Sequence, residues 1–396
     1  MVPARQTKGP ASAVAEAVQS PLRLVLLLAL GHFLVDVYSG ALGALQPWLV
    51  ERYQLSMTQA GFLGGLLVFS SSVMQPLYGF FSDRLRRPVF AALGPLVAAA
   101  FISALGLAPD YWWLLAMVCL GGAGIAAFHP QASSMATAGI EGRRGRVMAI
   151  FVSSGTLGFG LGPTYFSTIV SAFGLRNSWV AALPGIAASP LLLRALPRRT
   201  GAGSGSSERP QLRALASVWK PLGILYLLVF LRSAVQITYG QLLPLYLYRE
   251  RGYSMRAASY TLTAYLLFGA LGGFVGGHLA DRLGGRRVIL FSMAGSVPLL
   301  ALFYLTEGPV AIAGLLLGGL VLLFTIPVNV VMAQELIPSQ AGTVSALMMG
   351  FAWGLSGMVF IPLTGVLADR FSMHAALAAW TVFPLLGFLL ALRLPE

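Results

Sequence analysis

Polar positions are sparse along this chain, and where they cluster they divide it into long apolar runs. Cutting at charged, Gly-Pro and polar clusters gives runs over 22–50, 57–82, 88–108, 111–137, 146–173, 178–195, 220–248, 256–280, 288–305, 309–335, 343–368 and 373–393. A membrane-crossing helix needs roughly 20 mostly apolar residues, so the pattern predicts twelve transmembrane helices. Barrel strands would alternate strictly over about ten residues, and these runs do neither. The first run exceeds the roughly 7–15 apolar residues of a cleaved signal peptide, and we expect it to be retained. The breaks at Pro109-Asp110 and Glu307-Gly308-Pro309 are the shortest. The longest polar stretch, 196–219, contains Gly201-Ala-Gly-Ser-Gly-Ser-Ser207, the composition of a flexible linker. A tail is expected over 1–21.

Composition narrows the class further. Only 10% of the 396 residues are charged and 57% are hydrophobic, with mean hydropathy +0.78. A soluble domain carries about 25% charge, so an ordinary soluble enzyme is excluded. The net charge is +13, which in another context would point to nucleic acid. The apolar runs rule that out, and the basic residues have a location instead. Side one denotes the face carrying the N-terminus and the even-numbered turns. It holds 19 of the 26 basic residues, among them Arg84, Arg87, Arg143, Arg198, Arg282 and Arg286. Side two holds six, and Arg232 lies within a run. Loops rich in Lys and Arg stay cytoplasmic, so both termini are expected inside, with side one facing anionic lipid head groups. Trp48, Trp112, Trp113, Trp179 and Trp219 fall near run ends, as interfacial anchors should. The single cysteine, Cys119, excludes a disulfide framework or a Cys-x-x-Cys site.

Two turns repeat. Gly79-Phe-Phe-Ser-Asp83-Arg84-Leu-Arg86-Arg87 follows the second run, and Gly277-His-Leu-Ala-Asp281-Arg282-Leu-Gly-Gly-Arg286-Arg287 follows the eighth. Gly145-Arg-Val-Met-Ala149 and Gly342-Thr-Val-Ser-Ala346 repeat at nearly the same offset. The chain therefore reads as two six-helix halves, 22–195 and 220–396, around the linker, and parallel repeats of this kind build one large transporter class. The doubled turn resembles the signature of the major facilitator superfamily. Four further segments resemble its fosmidomycin resistance family of drug efflux pumps: Gly31-His-Phe-Leu-Val-Asp-Val-Tyr38, Phe128-His-Pro-Gln-Ala132, Ala333-Gln-Glu-Leu-Ile-Pro338 and Met349-Gly-Phe-Ala-Trp-Gly354. Gln131 departs from the Glu often found there. The resemblance implies an all-α membrane protein of two six-helix pseudo-symmetric bundles, with helices one, four, seven and ten around a central cavity.

Ionisable groups inside a bilayer cost at least a few kcal/mol each and so mark function by default. His32 and Asp36 share one face of the first run at i,i+4. His129 lies in the fourth run, Arg232 in the seventh and Glu335 at the end of the tenth. Asp36 is the candidate proton carrier, with His32 and Glu335 as partners; a structural ion pair is the competing reading. Arg232 can hold a carboxylate, phosphate or phosphonate bidentately, or else pair with Asp36 across the halves. Gln236 and Tyr239 share its face. Tyr38, His129 and Asn329 complete the expected substrate contacts, His129 on the wall opposite Arg232. His129 could instead cap carbonyls freed at Pro130.

The turns with Asp83, Arg84, Arg87 and with Asp281, Arg282, Arg286 are candidate gates, in which Asp accepts from Arg or from a helix N-terminus. Tight, positively flanked turns are the plainer reading. Gly365-Val-Leu-Ala-Asp369-Arg370 is a weaker echo on side two. Gly155, Gly158, Gly160, Gly162 and Pro163 in the fifth run partly match a glycine-proline motif of drug–proton antiporters, and close packing or bending explains them equally well. No phosphate-binding Gly-x-x-x-x-Gly-Lys loop or metal motif occurs, so no cofactor, metal, ATP or enzyme chemistry is expected. The reading is a monomeric proton-coupled exporter of small antimicrobial compounds in the inner membrane. A symporter of the same fold is the alternative, and a non-transporting receptor the reading from another class.

Overall fold

The computed structural model describes residues 21–85, 87–137, 144–197 and 212–394. The expected tail and most of the linker, with Arg86, Arg143 and Arg198, lie outside them. Among the described residues, twelve helices are long and apolar enough to cross a membrane. They are α1 Leu22–Tyr53, α2 Met57–Ser82, α3 Val89–Leu107, α4 Tyr111–Ala136, α5 Arg146–Phe173 and α6 Leu175–Ala195, then α7 Trp219–Arg251, α8 Met255–Leu283, α9 Gly285–Leu305, α10 Gly308–Leu336, α11 Pro338–Arg370 and α12 Met373–Ala391. No strand occurs among the described residues. Each apolar run becomes one helix, and the shortest breaks separate helices. At the first, Asp110 Oδ1 accepts from Trp112 N and Trp113 N and starts α4. At the second, Gly308 adopts φ +62°. The expected linker is partly helical, since Leu212–Ser217 forms a short helix before α7.

Several spans are not continuous α-helix. α1 is interrupted at Gly40, where any Cβ would lie 2.4 Å from Phe159 O of α5. α2 widens into a π-turn over Phe69–Val73 and α11 into another over Ala346–Ala352. α10 breaks between Leu322 and Thr325. The π-turn of α2 has a visible cause: the Ser70 hydroxyl donates to Leu66 O and Leu67 O, competing with the backbone ladder.

The neighbour pattern of the first six helices recurs in the last six. α1 packs on α5 and α6, α3 on α4 and α6, and α2 on α4; six positions on, α7 packs on α11 and α12, α9 on α10 and α12, and α8 on α10. The halves meet through α1–α7, α2–α11 and α5–α8. Glycine permits the tightest crossings. A Cβ on Gly158 or Gly162 would lie 2.1 or 2.4 Å from Phe33 O or Val37 O, and one on Gly43 would lie 2.0 Å from Gly240 O. The outer faces carry exposed Leu22, Phe62, Phe274 and Leu305, as lipid contact demands, and Trp112, Trp113, Trp179 and Trp219 stand exposed near helix ends.

Polar contacts between the halves gather towards side two. Glu51, near the end of α1, stands 3.3 Å from Arg249 of α7. Thr164 of α5 donates to Thr263 of α8 through its N–H and its hydroxyl, and Thr168 meets Tyr260. Asp369 of α11 accepts from the first amides of α2. On the side-one half of α2, Gln75–Ser82 packs on α4 within its own bundle. The molecule is thus drawn together on side two.

Candidate functional site: a carboxylate between two imidazoles, and a buried arginine in the other half

Asp36 lies in the first segment of α1, Pro21–Ser39. Helical spacing puts His32 one turn before it, and His32 Nε2 is 3.3 Å from Asp36 Oδ2. α4 crosses this face and brings His129 to the other oxygen, with His129 Nε2 3.4 Å from Asp36 Oδ1. Each imidazole is fixed from behind. His32 Nδ1 donates to Phe151 O and His129 Nδ1 to Ile125 O, both at 2.7 Å. A carbonyl can only accept, so each Nδ1 carries hydrogen and each Nε2 is turned to the carboxylate. Phe151 also stacks on His32 with centroids 4.1 Å apart. Gly155 leaves room for the group, because a Cβ there would sit 2.4 Å from His32 Nε2 and 2.6 Å from Asp36 Oδ2.

His129, expected on the wall opposite Arg232, is the second imidazole of the acidic group and is not among the residues that line the cavity described below. Nor does it cap the carbonyl that Pro130 frees, which belongs to Ala126, since it bonds Ile125 O instead. The potential ligand atoms of His32, Asp36 and His129 lie within 4.8 Å of one another, close enough to share an ion, although no metal motif was visible in the sequence. Each nitrogen faces a carboxylate oxygen directly, an arrangement that protons alone can hold together.

Arg232 is buried on α7 and pairs with no carboxylate among the described residues; its Nη1 donates to Gln236 Oε1, and Nε has no partner. The expected alternative, a bond to Asp36, is not formed. Tyr265 of α8 is near enough to interact with the guanidinium electrostatically, and its hydroxyl is unpartnered. Asn329 on the second segment of α10 is fully buried with both amide atoms unsatisfied. Buried polar atoms are almost always paired, so this half holds several donors and acceptors awaiting a partner.

A small cavity lies where the two halves meet. Ser39, Leu67, Ser71, Phe159, Gln236, Gln241 and Trp353 line it, drawn from α1, α2, α5, α7 and α11. Ser39 follows Asp36 on the same helix face, and Gln236 reaches back to Arg232. The cavity is therefore linked to Asp36 through Ser39 and to Arg232 through Gln236, and Ser71 brings to it the π-turn of α2, a feature that often marks functional sites.

Other expected residues stand elsewhere. Tyr38 is buried within the first bundle, donating to Ala181 O and accepting from Gly185 N. Tyr239 accepts from Tyr304 in an aromatic cluster of the second bundle. Neither is among the residues that line the cavity. Glu335 is exposed near the end of α10. Gln131 accepts from Ala91 N at the start of α3, a structural role. Arg84 donates to Phe80 O and lies over its ring, Arg286 donates to Leu392 O, and Arg87, Asp281 and Arg282 are exposed. Gly158, Gly162 and Pro163 lie within continuous helix, the glycines as packing points. Sequence reasoning missed Phe151, Ser71, Gln241, Tyr265 and Trp353 as site residues, none of which carries a charge that would single it out, and it read Gly155 only as a packing or bending glycine.

The family profile settles the fold's identity: the Major Facilitator Superfamily model matches residues 28–360 and 225–396. The chain belongs to the major facilitator superfamily. It is 32% identical to YfnC, an uncharacterized MFS-type transporter of Bacillus subtilis (strain 168), over 94% of this chain and 93% of that protein. It is 28% identical to the fosmidomycin resistance protein of Escherichia coli (strain K12), covering 93% and 92%. Among solved structures, a bacterial homologue of the human lysosomal transporter Spinster, inward-facing and unoccupied, superposes with TM-score 0.79 at 17% identity, covering 94% and 97%. The nucleoside transporter NupG gives 0.75 at 14%, covering 94% and 100%. This is a multi-pass membrane transporter of small molecules, not an enzyme.

Proposed function

We propose that the protein is a proton-coupled exporter of small anionic compounds in the inner membrane, with both termini cytoplasmic. The observation that carries this reading is the Asp36 carboxylate held between His32 Nε2 and His129 Nε2. With both Nδ1 atoms committed to carbonyls, a lone pair on Nε2 would face a carboxylate lone pair. A proton in each contact removes that repulsion, so the group is built to take up and release protons. In the other half, Arg232 offers a desolvated positive charge linked to the cavity through Gln236, a receptor for one carboxylate, phosphate or phosphonate. The fosmidomycin resistance relative supports a phosphonate as the first substrate to try.

Transport proceeds by rocking of the halves about this site. The excess of Lys and Arg makes side one cytoplasmic, and the contacts on side two make this the inward-facing state. The Asp83 and Asp281 turns act as gates on the cytoplasmic face, and the arginines beside them contact anionic lipid. Cavity and proton site come from one chain, so the monomer is the working unit. Inside-out proteoliposomes loaded by a pH gradient, acid inside, test the reading. Accumulation of fosmidomycin that collapses with the gradient is expected. Accumulation only when the gradient is reversed would favour proton symport, and no flux of any anion under either gradient would defeat the reading.

A further inference from the structure

The third copy of the Gly-x-x-x-Asp-Arg pattern, at the end of α11, is not used by the transport site. α2 and α11 run antiparallel across the boundary between the halves. The capping box of α2 uses the Ser56 hydroxyl for Gln59 N, and Ser56 O takes Ala60 N. Two of the four amides that every helix start leaves unpaired are then Met57 N and Thr58 N. Asp369 supplies both partners from the other half: Oδ1 accepts from Met57 N and Oδ2 from Thr58 N, each at 2.8 Å. The glycine of the pattern makes this approach possible, since a Cβ on Gly365 would lie 2.3 Å from Met57 O. A carboxylate at a helix N-terminus meets both amide hydrogens and the positive end of the helix dipole.

We propose that Asp369 is the latch that holds side two shut. When the halves part there, the two amides and the carboxylate return to water, and the cap is lost as a unit. The latch therefore favours the state seen here over the state open on side two. It depends only on alternating access, not on protons or on the identity of the substrate.

The test is the distribution of distances between spin labels at Arg52 and Phe371, both exposed at side two on opposite halves. The background is Cys119→Ser full-length protein in detergent, without substrate. Asp369→Ala is expected to raise the ratio of long to short distances by about three- to ten-fold. Asp369→Asn, which keeps one acceptor, should raise it less. Asp110→Ala is the control, because Asp110 caps α4 on side two within one half and should leave the ratio unchanged. A distribution unaltered in Asp369→Ala, or shifted as far in Asp110→Ala, overturns the proposal. Loss of pH-driven transport in unlabelled wild-type protein would count against the proton reading and leave this result standing.

Discussion

At the scale of single residues, the i,i+4 pair of titratable groups in an apolar run is legible in the sequence, because helical spacing alone places His32 and Asp36 together. Their third member is not. His129 is 93 positions further on, and only the crossing of α4 over α1 brings it to Asp36. Helical spacing also puts Tyr239 on the face of Arg232, yet the tyrosine is claimed by Tyr304 of α9. A periodic pattern gives the face of a helix, not the neighbour that occupies it. Arg232 carries a direct prediction. Substitution by Gln should weaken binding of an anionic substrate by at least ~30-fold, as loss of a desolvated charge partner does, while a neutral competitor loses little. Equilibrium binding of fosmidomycin to purified protein measures this, and equal affinity in wild type and variant would remove Arg232 from the site.

At the scale of elements, the twelve spans were legible because the bilayer sets one length and one composition for all of them. The interruptions were not. The π-turn of α2 arises from Ser70 bonding back to carbonyls, and the break of α1 from the approach of Phe159 O to Gly40. Both depend on contacts that no hydropathy pattern contains. The glycines of α5 were ambiguous in sequence, and the structure makes Gly158 and Gly162 the seam with α1. Gly158→Ala should lower thermal stability in detergent by on the order of 1–3 kcal/mol, the usual cost of overpacking. Gly174→Ala is a poor control because of its φ of +80°. Gly223→Ala, with open space at its Cβ, should be silent. A Gly158→Ala protein as stable as wild type would mean that α1 and α5 separate more readily than their packing indicates.

At the scale of the whole molecule, the internal repeat in the sequence foretold the recurrence of neighbour pairs six helices apart. The sequence did not reveal that contacts would gather on side two. Glu51, Arg249, Thr164 and Thr263 look like ordinary end-of-span residues until the halves are brought together. Their grouping predicts that single cysteines on side one of the cavity-facing helices react faster with aqueous thiol reagents than those on side two. A reversed order would mean that the inward-facing assignment is wrong.

In the proposed function, protons held by Asp36 and its imidazoles drive movement of the two halves. Proteoliposomes containing Asp36→Asn protein test it most directly, through two assays on one preparation. One follows exchange of labelled for unlabelled fosmidomycin at equal pH; the other follows accumulation against a concentration gradient under an imposed pH difference. The variant is expected to exchange substrate still and no longer to accumulate it. Accumulation equal to wild type would show that the proton is carried elsewhere.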